Sequence, residues 1–156
     1  MTPEPTRHTV RERIMQAIQA RFESAPAQPG DISWGLVTRK PITKSDIANE
    51  NFALGLYDTS ERIKEGTGWE MHFLNVVLEF HVRIHEGDEP STFLNHCLGQ
   101  VSTRIGEDIT WGGLAINTRE SGSELDIDGA FDKYVSGILV VDVSYRCRPN
   151  DPYTRV

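Results

Sequence analysis

Two histidines four residues apart, His81 and His85 in EFHVRIHEGDEP (79–90), are the pair whose type and spacing come nearest to a metal site. Imidazoles at that spacing converge on one ion only if the backbone between them is helical. The surrounding FLNVVLEFHVRIHE instead sets Leu74, Val76, Leu78, Phe80, Val82 and Ile84 at spacing two, the period of a strand. At ~3.3 Å per residue the two histidines then lie roughly 13 Å apart, beyond sharing a zinc ion whose ligand distances are ~2 Å. Glu79, His81, Arg83 and His85 are left as one polar strand face, either wetted by solvent or turned toward a partner or channel.

Other arrangements carry less. The chain has no G-x-x-x-x-G-K-[ST], G-x-G-x-x-G, G-x-S-x-G or H-E-x-x-H, each absence removing an enzyme class. Asp126, Asp128 and Asp132 in ELDIDGAFD suggest calcium, but Gly129 follows Asp128 directly and breaks the loop spacing, so a solvated turn is the better reading. His96 and Cys97 are adjacent on a helical pattern and point roughly 100° apart, which argues against a dyad. Trp34, Trp69 and Trp111 read as residues closing the edge of a core, with exposed stacking groups as the other possibility. No catalytic residue, metal or cofactor is predicted.

The elements that position these residues follow from period and punctuation. Thr9 and Glu12 have capping-box spacing, and Val10, Ile14, Ala17, Ile18 and Phe22 form a stripe, giving a helix from about Thr9 to Glu23. SAPAQPGD stops it, and SWGLVTRKP reads as a short strand before a polar loop, 43–50. A long hairpin follows, its turn around Glu65 to Gly68. Pro90 opens a second helix to about Ile105, with Leu94, Cys97, Leu98, Val101 and Ile105 in register. LAINTR and ELDID read as two strands around a turn at Ser121 to Ser123. In the closing YVSGILVVDVSYRCRP, Val135, Leu139, Val141, Val143, Tyr145 and Cys147 share one face, while Asp142, Ser144, Arg146 and Arg148 share the other, with Pro149 and Pro152 ending the strand. The expected class is α+β: a mostly antiparallel sheet with two long strands, flanked by two main helices. It is divided as a flexible arm over 1–8, a single domain over 9–149 and a tail over 150–156. Strands of roughly a dozen residues exceed the usual 5 or 6 and outreach their own core, and a second copy is the cheapest element to meet the excess.

At 156 residues the chain is long enough to bury a core without staples, and its two cysteines, Cys97 and Cys147, fit no metal or redox motif and read as reduced core residues. No run approaches the ~20 apolar residues of a membrane span and the first residues lack a signal-peptide core, so the expectation is a cytosolic protein with no membrane partner. The formal charge of −7 argues against holding a nucleic-acid backbone, while it permits a surface along which DNA slides without sticking.

The order of these elements, with NFALGLYDTSERIK, NVVLEFHVRIHEGD and the closing VSGILVVDVSYRCRPNDPYT, resembles the tail terminator (tail-completion, minor tail) proteins of long-tailed bacteriophages, over about Val10 to Tyr153. The resemblance implies a small α/β fold closing into a homo-hexameric ring at the head-proximal end of the tail tube. There it would stop tube polymerisation and present a surface to head-completion or neck proteins. DNA would cross the lumen without sequence-specific contact, and six copies of a chain at −7 bring −42 to that conduit. The location implied is the virion tail, assembled in the host cytoplasm. The family carries no catalytic residues to transfer. The candidate oligomer or lumen-facing residues, Glu79, His81, Arg83, His85, Asp142, Arg146 and Arg148, come from the strand pattern alone. Another neck or head-completion ring protein, and a small α+β enzyme or ligand-binding domain using His81, Arg83 and His85, remain the alternatives.

Overall fold

The computed structural model describes residues 7–131 and 133–156, the side chains of 129–131 excepted. Most of the expected N-terminal arm, and Asp132 of the calcium reading, therefore lie outside the described residues.

Helix α1, Val10–Glu23, begins where the sequence places it: the Thr9 side chain accepts a hydrogen bond from the Glu12 backbone N–H. Glu12 does not close the capping box; its carboxylate pairs with Arg39 at 3.0 Å. A three-residue strand β1, Leu36–Thr38, lies parallel to the next strand. A one-turn helix α2, Lys44–Ile47, occupies the segment expected as a loop, fixed by a complete capping box between Thr43 and Asp46.

Strands β2, Phe52–Glu65, and β3, Glu70–Arg83, form the long hairpin, closed by a turn in which Gly68 takes φ +76°. Helix α3, Pro90–Gly106, follows, then β4, Asn117–Phe131, β5, Tyr134–Arg148, and β6, Asp151–Arg155. The result is a single α+β domain whose six-stranded mixed sheet runs β1-β2-β3-β5-β4, with β6 paired to β5.

Two expectations change here. The residues 121–123 make no turn: β4 runs straight through, and the register slips by one residue between Glu120 and Gly122, a bulge that leaves Ser121 outside the pairing and donating from its hydroxyl to the Val140 carbonyl. Small polar residues serve a bulge as well as a turn, and pattern alone does not separate them. Pro152 does not end the sheet; it sits inside β6, a five-residue edge strand where a missing N–H is tolerated, so the expected 150–156 tail folds back onto β5.

One sheet face carries the core. Leu74, Val76, Leu78, Phe80 and Val82 of β3 and Val135, Leu139, Val141, Val143 and Cys147 of β5 are all buried, packed with α1 and α3. The strand alternation read from the sequence selects this face correctly on both strands. Cys97 and Cys147 are free thiols in it, and burial pushes them up to about 12 and about 11 respectively, which leaves both as inert thiols.

Candidate assembly surface

The opposite, outer face of the sheet holds every site residue nominated from the sequence except His85, and it divides in two along the strands. At the Arg83 end, the segment carrying α2 lies over it. Ile42, Ile47, Ala53 and Tyr134 form a second small core there with Leu36 against it. Glu79, His81 and Arg83 were expected to form a wet or partner-facing row. Instead His81 is 6 % exposed and its Nε2 meets the Glu79 carboxylate at 2.6 Å. Tyr57 donates to the other Glu79 oxygen at 3.0 Å. Burial alone would raise the Glu79 carboxyl, but the hydrogen bonds from His81 and Tyr57 outweigh it and hold the group below the usual range. Tyr57 moves the other way, pushed up to about 12 by burial and by its bond to Glu79.

Arg83 donates through Nη2 to the Tyr134 hydroxyl at 2.8 Å, and that hydroxyl donates to the Ile47 carbonyl at 2.7 Å. These contacts tie β3, β5 and the α2 segment together. His85 lies past the end of β3, exposed, its backbone N–H bonded to Asp88. The four residues therefore do not act as one surface: three are bound into a seal, and the fourth is in a loop.

Toward the hairpin tip none of the described residues covers the same face. A depression of about 280 Å³ is lined by Ser60, Glu61, Arg62, Phe73, Asn75 and Asp142. It continues across Arg62, Phe73 and Asp142 to Asn117, Arg119 and Ser144. Register explains the assembly. Arg62 opposes Phe73, Phe73 opposes Ser144 and Ser144 opposes Asn117, so one row crosses four strands; Asn75, Asp142 and Arg119 form the next row. The Asn75 amide donates to Asp142 at 3.3 Å, and the Thr59 hydroxyl donates to the Asn75 oxygen at 2.9 Å. The Arg62 guanidinium lies 4.7 Å over the Phe73 ring, and that of Arg146 lies 4.6 Å over Trp69. The Arg146 Nε is shielded from solvent and has no hydrogen-bond partner.

Of the nominated residues, Asp142 and Arg146 belong to this open half, with Arg148 exposed at its margin. Arg62, Phe73, Asn75 and Arg119 are the residues sequence reasoning missed. A usable signal exists for the first pair: residues equidistant from a hairpin turn share a face, so locating the turn brings Arg62 and Phe73 together. Arg119 has no such signal, because the bulge at Ser121 interrupts the pattern of its strand.

Other candidates fall away on geometry. Cys97 is buried while His96 points to solvent, which separates the supposed dyad. Trp34 and Trp111 sit in the core, as expected of edge-closing residues, and Trp69 is half-buried under Arg146. Among the described residues, no group of three His, Cys, Asp or Glu is arranged to hold a metal ion, and no helix is long and apolar enough to cross a membrane.

No protein-family model matches this chain, and no curated protein matches it. Among solved structures, it is similar to a chain described as the sheath/tube terminator of an extracellular contractile injection system, PVC, in its extended state. The match has 12 % identity and a TM-score of 0.37, covering 100 % of this chain and 62 % of the other. This chain thus spans less than two thirds of that protein's length. A likeness at that level establishes no shared fold, and nothing of that assembly's behaviour transfers through it.

Proposed function

We propose that this chain is a structural assembly protein of the tail-terminator kind: a subunit that closes into a ring, hexameric in the form the sequence resemblance implies, on the head-proximal end of a tail tube. The observation that carries the reading is the open half of the outer sheet face, a surface four strands wide on which Phe73 and Asp142 stand among arginines and amides, and which the described residues build and leave uncovered. A surface of that kind recognises another macromolecule through shape and charge. The reading assigns no chemistry to any residue. Tube growth would stop because one face of the ring complements the last tube subunits and the other does not repeat it. The remaining face would meet head-completion proteins, with DNA crossing the lumen unbound.

The test is to add the purified chain to polymerising tail-tube subunits and to image the product. Rings seated on one end of shortened tubes support the reading. Tubes of unchanged length with bare ends overturn it, and binding to portal-side proteins instead would identify a neck protein.

A further inference from the structure

The two halves of the outer face differ in charge as well as in cover. At the tip end, Arg62, Lys64, Arg119, Arg146 and Arg148 alternate onto this face, and Asp142 is the acid among them. The carboxylates of Glu61 and Glu70, at the same end, serve the helix side: Glu61 takes Arg11 and the Tyr145 hydroxyl, and Glu70 takes His72. Five cations against one carboxylate leave +4 on the patch, so the rest of a chain whose total is −7 carries −11.

Much of that excess gathers at the other end of the sheet. Glu124, Asp126 and Asp128 are exposed on β4, with Asp126 opposite Ser136, close to the end where Arg83 opposes Tyr134. Exposed Glu86, Asp88 and Glu89 lie in the loop that leaves β3 there. The cations described at this end are Arg83, already engaged by Tyr134, Lys133, and Lys40 and Lys44 of the α2 segment, Lys40 being paired with Asp46. From Phe73 to Arg83 the strand rises about 33 Å at ~3.3 Å per residue, so a single sheet is basic at one end and acidic at the other.

We infer that the basic patch of one copy docks the acidic β4 end of a second copy, centred on Arg62 and Arg119 receiving Glu124 and Asp126. The inference rests on the assembly reading above and gives it a surface. Because the two patches are different parts of the molecule, the contact is heterologous, and each subunit keeps one patch free for the next, as ring closure requires. A nucleic-acid backbone is the poorer occupant: Asp142 stands in the middle of the depression, and the −11 elsewhere repels a long polyanion. The stacked guanidiniums of Arg62 and Arg146 favour the same choice, since rings beneath them hold the cations in place for a compact acidic partner.

The experiment compares four full-length chains by sedimentation over a range of concentration and salt: wild type, R62E/R119E, E124R/D126R, and the chain carrying all four changes. Wild type is expected to self-associate, and less so as salt rises. Each half-reversed chain should need at least about tenfold higher concentration to associate, because like charges then face each other. The four-fold variant should recover association, and an equimolar mixture of the two half-reversed chains should co-assemble in alternation, each of which a merely unfolded variant would fail to do. Half-reversed chains that associate as well as wild type overturn the docking surface while leaving the assembly reading standing. A wild-type chain that stays monomeric overturns the inference, and tube capping then judges the assembly reading separately. Retention of a DNA oligonucleotide by wild type, lost in R62E/R119E with association unchanged, would reassign the patch to nucleic acid and overturn it as well.

Discussion

The sealed and open halves of the outer sheet face are built from the same strands, yet one is dry and the other wet. β2 passes from Ala53 and Gly55, both buried, to Arg62 and Lys64, both exposed, across a register shift between Asp58 and Glu61 that puts even-numbered residues on this face where odd-numbered ones stood before. What differs is a short segment from elsewhere in the chain. Where Ile42 and Ile47 lie over the strands, polar side chains are drawn into closed pairs: His81 with Glu79, and Arg83 with Tyr134. Where no described segment arrives, the outward residues, stepped by one along β2 at that shift, are cations and amides facing outward. A strand's polar face is therefore not a surface by default; whether it can meet a partner depends on what the loops cover.

The comparison can be broken most severely at the seal. Replacing Ile47 with Ala should destabilise the fold by about 2–5 kcal/mol in denaturant titration, since the side chain is 1 % exposed. A loss below ~1 kcal/mol would mean the segment packs loosely and the two halves are less different than described. Tyr134→Phe should lose about 1–3 kcal/mol, because the hydroxyl joins Arg83 to the Ile47 carbonyl. A matched pair of glycines sharpens the contrast. A Cβ at Gly55 would stand 2.6 Å from the Lys40 carbonyl oxygen, whereas one at Gly122 would meet nothing within 4 Å. Gly55→Ala should thus be destabilising by about 1–3 kcal/mol and Gly122→Ala should stay within about 0.5.

Acid provides a gentler probe. Because the folded Glu79 carboxyl lies below its ordinary value, its contribution to stability is fully present above the unfolded value near ~4.3 and is lost as pH falls through the folded one. Glu79→Gln should flatten the fall of stability in that acid window relative to wild type; an unchanged slope would disprove the assignment. The smallest effect belongs to the open half, where Arg62→Ala should cost no more than about 0.5–1 kcal/mol of stability, its ring contact being exposed. A larger loss would show that the residue supports the fold rather than the surface.

These contrasts also mark how far the sequence reaches. β3 and β5 were legible because a face buried by two helices writes an unbroken period of two, and α1 and α3 were legible from Thr9, Pro90 and their apolar stripes. The seal was not. A one-turn helix is too short for periodicity, and only its capping pair, Thr43 and Asp46, leaves a local trace. That Glu79 and His81 are dried by residues more than thirty positions earlier is a non-local fact, invisible to any window along β3. The candidate surface was half legible: Asp142, Arg146 and Arg148 stand on a strand whose pattern is strict, while Arg62 and Arg119 stand on strands whose pattern is broken by register shifts, between Asp58 and Glu61 and between Glu120 and Gly122.

The stacking of Arg146 on Trp69 gives this molecule a built-in optical probe. The other two indoles, Trp34 and Trp111, are 8 % and 2 % exposed inside the main core, so their emission is insulated from events at the surface. Trp69 is half-buried at the rim of the basic patch, its ring under a guanidinium whose Nε has no partner of its own. A carboxylate that captured Arg146 would shift the cation over the ring and change the fluorescence of this indole while leaving the other two constant. Occupancy of the patch can thus be followed in the unlabelled protein, in real time and without altering a residue.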